Sequence, residues 1–138
     1  MSTTATVAMS TDTERKPVTL HRLRRMLAEG EKIVMLTAYD ASFARLADDA
    51  GVDCLLVGDS AMMVVHGEKD TLGATVELMA LHTRAVRRGV TRALVGSDLP
   101  FKTYETAEAA VENARALMAA DKQKLVHRDI KPANLMLH

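Results

Sequence analysis

Three short apolar runs, separated by amphipathic helical stretches, constrain this chain more than any other feature. They are residues 32–37 (KIVMLT), 53–58 (DCLLVG) and 92–96 (RALVG). Runs this short, apolar almost throughout, read as strands buried on both faces rather than strands with one wet side. Strands that alternate with helices pair in parallel, because a parallel neighbour needs a crossover connection. The expectation is an α/β fold with a parallel sheet covered on both sides. Periodicity leaves open whether that sheet is doubly wound or part of a barrel.

The intervening helices carry their own punctuation. Thr19, Asp40, Thr75 and Thr106 are of the type that caps a helix N-terminus, and Gly30 and Gly51 are placed to end the first two helices. The expected buried stripes are Phe43, Leu46, Ala47 and Ala50, then Val76, Met79, Ala80, Thr83 and Val86, and last Ala107, Ala110, Val111, Ala114, Leu117 and Met118. Arg87, Arg88 and Gly89 close the third of these helices, the two cations facing the negative end of its dipole.

Composition excludes some function classes. Lys plus Arg and Asp plus Glu are 18 each, so no net charge draws the chain to nucleic acid or a membrane surface. No apolar run is long enough to span a bilayer. The single cysteine, Cys54, lies in an apolar run and reads as a buried, inert thiol, which fits a reducing cytoplasmic setting. Residues 1–15, rich in Ser and Thr, read as a disordered tail. No glycine-rich dinucleotide fingerprint or phosphate-cradling loop follows any strand.

Each expected strand runs into an acid: Asp40, Asp59 and Asp98. In parallel α/β folds the C-terminal strand ends form the active face, and carboxylates gathered there suit Mg²⁺. A helix begins directly after Asp40, so that residue reads as a cap. Helices after Asp59 and Asp98 start many residues later, which makes these two the better metal-site candidates.

These residues belong to a wider pattern. Leu36-Thr-Ala-Tyr-Asp40, Val57-Gly-Asp-Ser60, Thr71-Leu72 with Thr75-Val76, His82-Thr83, Arg88-Gly89 and Ser97-Asp-Leu-Pro-Phe101 with Tyr104 resemble ketopantoate hydroxymethyltransferase in order and spacing. The resemblance runs from about Val18 to Ala120. It implies the N-terminal part of a (β/α)₈ TIM barrel, about three βα units, truncated, over residues 16–120.

The resemblance also implies a chemistry. The family transfers a hydroxymethyl group from 5,10-methylenetetrahydrofolate to 3-methyl-2-oxobutanoate, giving 2-dehydropantoate for pantothenate synthesis. Mg²⁺ chelates the keto acid and stabilises the enolate. Carried over by motif, Asp59 and Asp98 would be metal ligands, and Ser60 and Asp98 would meet the substrate. Read without the resemblance, Ser60 is equally a loop residue bonded to nearby backbone. Ala61-Met62, Gly73 and Ser97 depart from the family pattern without removing a proposed ligand.

Beyond Ala120 the pattern breaks. The family's next strand, with its Lys and Glu, has no counterpart in residues 121–138, and its general-base glutamate is expected much later. Residues 125–137 instead resemble a protein-kinase catalytic loop. There Asp129 would orient a hydroxyl, Lys131 would meet phosphate and Asn134 would bind Mg²⁺. No glycine-rich loop, strand lysine or Asp-Phe-Gly accompanies it. Three readings follow: a hydroxymethyltransferase fragment, a non-catalytic hybrid that self-associates through open sheet edges, and a kinase fragment.

Overall fold

The computed structural model describes residues 16–120. The expected N-terminal tail (1–15) and the kinase-like segment (121–138) lie outside the described residues. The element order is α1 (Leu20–Ala28), β1 (Met35–Thr37), α2 (Ala41–Asp49), β2 (Cys54–Val57), α3 (Ala61–Val64), α4 (Val76–Gly89), β3 (Leu94–Ser97) and α5 (Ala107–Ala120). The strands form one parallel sheet in the order β1-β2-β3, with Leu36 opposite Leu55 and Leu55 opposite Val95.

Local chemistry sets the helix starts as expected. Thr19 Oγ1 accepts from the amide of Arg22 at 3.2 Å. Asp40 Oδ1 accepts from Ser42 and Phe43 at 2.8 and 2.9 Å. Thr75 and Thr106 accept from Leu78 and Ala109 at 3.2 and 3.1 Å. Gly30 and Gly51 end α1 and α2 with φ of +70° and +91°, a conformation that costs a residue with a Cβ.

Burial departs from expectation on the sheet. One face packs against helices: Leu55, Val57 and Val95 join Ala44, Ala47, Met79, Val86 and Leu117 in the core. The other face is covered near Cys54, but Thr37 and Gly96 further along it are exposed. The sheet is thus helix-covered on one side among the described residues, not on both. All of β1 is exposed, because among the described residues it is an edge strand with a neighbour on one side only.

Helix α2 is also turned from its expected stripe. Ala44, Ala47 and Asp48 are buried, whereas Phe43 and Leu46 are exposed. Asp48 explains the rotation. Its carboxylate accepts from the amides of Thr91, Arg92 and Ala93 and from the Thr91 hydroxyl, at 2.6 to 3.3 Å. This acid serves the backbone that leads into β3, so it takes the inward position that an apolar residue would usually hold. Burial works to raise its pKa, but these four donors outweigh it and hold the carboxyl below its ordinary value. On α4 the expected stripe is largely buried, and α5 buries Ala110 and Leu117 but exposes Ala107.

The ends of the strands differ in what they hold. Before β2 and β3, Arg92 bonds Asp53 at 3.0 Å and the Val52 carbonyl at 2.7 Å, while Asp53 also accepts from the Val34 amide at 3.1 Å. This buried pair is structural. Cys54 is buried beside it, and burial followed by the nearby Asp53 charge pushes its thiol pKa up.

Candidate functional site

Asp59, Ser60 and Asp98 meet at the C-terminal end of the sheet. The Asp98 amide donates to the Val57 carbonyl at 3.0 Å, which carries the β2–β3 ladder one step past the strands. The Asp59 amide donates back to Asp98 Oδ2 at 3.3 Å. Asp98 is thereby fixed through one oxygen. The Asp59 carboxylate makes no hydrogen bond or ion pair within the described residues. Two half-buried acids from neighbouring strand ends thus share one edge.

Ser60 stands directly after them. Its hydroxyl lies 2.8 Å from that of Tyr39, which comes from the β1–α2 turn. Ser60 precedes the four-residue helix α3 and makes no capping bond to it. Its oxygen folds back over Gly58 instead. A Cβ at position 58 would sit 2.8 Å from Ser60 Oγ and 3.5 Å from Asp98 Oδ2, so glycine is what leaves room for the Ser60 hydroxyl beside Asp98. Asp40 behaves as the cap that its position suggested.

The donor set suits a hard cation. Mg²⁺ is commonly held by one or two carboxylates while keeping several waters. Asp59 and Asp98 supply that number. Among the described residues no third acid, histidine or cysteine completes a metal-binding group.

The sequence assigned roles to the two acids and Ser60, whereas Tyr39, Gly58 and His82 stood in the family pattern with no role attached. His82 sits on the buried face of α4 with Met79, Thr83 and Val86. A histidine at core spacing on an apolar stripe was the available signal. An open cavity lined by Arg84, Arg87, Arg88, Val90 and Thr91 borders the residues before β3, away from the acids.

Comparison with known proteins shows the family. The family model described as ketopantoate hydroxymethyltransferase matches residues 17–133, which extends past Ala120 into the segment after α5. The chain is 55% identical over 114 residues to 3-methyl-2-oxobutanoate hydroxymethyltransferase 2 of Methylibium petroleiphilum, covering 82% of this chain and 41% of that protein. It is 57% identical over 106 residues to the 3-methyl-2-oxobutanoate hydroxymethyltransferase of Azoarcus sp., covering 76% and 39%. The chain therefore spans about two fifths of the length of these curated relatives.

Proposed function

Because the chain belongs to the ketopantoate hydroxymethyltransferase family, we propose that it carries the keto-acid- and Mg²⁺-binding part of that enzyme. The whole reaction would transfer a hydroxymethyl group from 5,10-methylenetetrahydrofolate to 3-methyl-2-oxobutanoate, giving 2-dehydropantoate. The parallel sheet, helix-covered on one face, supports reading these residues as part of a (β/α)₈ barrel wall. The opposite face, where Thr37 and Gly96 are exposed, would then line the barrel interior.

One observation carries the reading: the hydrogen bond from Asp59 to Asp98 that gathers two acids beside Ser60 at the strand ends. Asp59 and Asp98 would hold Mg²⁺, with Asp98 also meeting the substrate. Bound there, Mg²⁺ would supply Lewis-acid polarisation of the substrate's keto group. Ser60 donates to the keto-acid carboxylate. For it to do so, the Tyr39 hydroxyl must donate to Ser60 Oγ, which leaves the serine proton free for the ligand. These roles are binding and orientation. The base that takes the C3 proton is assigned to none of them.

Mg²⁺ titration of the folded chain, followed by NMR, tests the metal assignment. Resonances of residues 57–60 and 97–99 should shift together in the native chain and stay still in Asp59→Asn. Unchanged Mg²⁺ affinity in that variant would remove Asp59 from the ligand set.

A further inference from the structure

A chain of hydrogen bonds behind Ser60 plays no part in the roles above. The Tyr39 carbonyl lies 2.8 Å from Nδ1 of His82, and Nε2 of His82 lies 3.0 Å from Nε2 of His66. Proton positions follow from one constraint, which is that a carbonyl only accepts. Nδ1 of His82 therefore carries the hydrogen. A neutral His82 then offers a lone pair at Nε2, so Nε2–H of His66 donates to it. The ring centroids are 5.3 Å apart and the facing nitrogens 3.0 Å, a difference that two ring radii account for. The rings meet head-on, as a linear N–H···N bond requires.

These contacts close a circuit. Ser60 leads through α3 to His66, His66 bonds His82, His82 bonds the Tyr39 backbone, and the Tyr39 hydroxyl returns to Ser60. His82 is the fixed member, since it is 8% exposed on a helix packed into the core. His66 is exposed, in the loop after α3. Ser60 is thus held from both sides by one buried imidazole, through the phenol on one side and through its own loop on the other.

We propose that His82, with its tautomer set by the Tyr39 carbonyl and its Nε2 held by His66, is a positioning residue that presents the Ser60 hydroxyl to the keto-acid carboxylate. The proposal rests on the reading of Ser60 as a carboxylate donor. A hydrogen bond to the far ring nitrogen fixes both ring orientation and tautomer, and with them the group the ring supports. Loosening the circuit at His66 leaves Asp59 and Asp98 in place, so the effect falls on the keto acid and spares the metal.

NMR of the full chain, with labelled histidine and serine, tests the circuit. The native chain should show His82 as the Nδ1–H tautomer and a two-bond coupling between the facing Nε2 atoms. His66→Gln, at an exposed position, should abolish the coupling and shift the Ser60 signals. It should weaken binding of 3-methyl-2-oxobutanoate (α-ketoisovalerate) about tenfold, short of the ~hundredfold that a 1 Å misplacement can cost. Mg²⁺ affinity should stay at the native value. Tyr39→Phe should produce the same loss, and the double variant should lose no more than either single one. An Nε2–H tautomer at His82, or Ser60 signals unmoved in His66→Gln, would overturn the proposal. So would shifted Ser60 signals with native keto-acid affinity. A native chain that binds no keto acid would sink the functional reading, while the tautomer, the coupling and the Ser60 shift would still decide whether the circuit exists.

Discussion

The oxygen of Ser60 occupies space that a methyl group on Gly58 would need, since a Cβ there would lie 2.8 Å from it. Gly58→Ala must therefore push the hydroxyl off its position, while Asp98 Oδ2, 3.5 Å from the same point, stays in ordinary contact. Keto-acid affinity should fall by ~10- to 100-fold, as expected for misplaced binding groups. Circular dichroism should report a fold close to native. Full affinity in a folded Gly58→Ala chain would place the substrate elsewhere.

Asp48 should make stability acid-sensitive. Its folded pKa lies below the ordinary value of 3.8. Its contribution is therefore whole above that value and is lost as pH falls through the lower folded pKa. Asp48→Ala leaves the amides of Arg92 and Ala93 without their acceptor and should cost about 3 kcal/mol near neutral pH. The variant's deficit should shrink as the native protein is acidified below pH ~4. Urea unfolding across that range measures it, and a deficit independent of pH would contradict the assignment.

Gly89 is the last residue of α4, and a Cβ on it would run into the carbonyl oxygen of Ala41 at the start of α2. The obstacle is backbone and cannot swing aside. Gly89→Ala should destabilise the chain by about 1–3 kcal/mol, as overpacking does. Thermal unfolding reads this directly, and an unchanged or raised melting temperature would show that α2 and α4 are not so closely apposed.

Much of this architecture was legible beforehand. Thr19, Asp40, Thr75 and Thr106 cap helices because capping is local chemistry written in one residue. The parallel sheet followed from apolar runs alternating with helices. Burial was less legible, because it depends on which neighbours a strand finds. Met35 and Leu36 are as apolar as Leu55 and Val57, yet they stand at an edge and are exposed. The inward turn of Asp48 was hidden for a similar reason, since its partners lie more than forty positions away. At the site, strand-end logic found Asp59 and Asp98. The contacts of Tyr39 and His82 depend on pairings across β1, the loop after α3 and α4, and spacing along the chain carries no record of those.

The exposed edge should have a physical consequence. Ile33, Val34, Met35 and Leu36, in β1 and just before it, are 38 to 57% exposed, and among the described residues β1 is paired on one side only. Open, apolar strand edges recruit further strands. The chain should therefore associate with itself, and Leu36→Lys should shift light-scattering mass toward the monomer. A native chain that is monomeric at high concentration would count against the open edge.

On the proposed function, Asp59, Asp98 and Ser60 together form a Mg²⁺-dependent keto-acid site. Calorimetric titration of the folded chain with α-ketoisovalerate, with and without Mg²⁺, tests it most directly. Binding should require Mg²⁺, disappear in Asp98→Asn and weaken in Ser60→Ala. Binding that ignores Mg²⁺, or that survives Asp98→Asn unchanged, would contradict it.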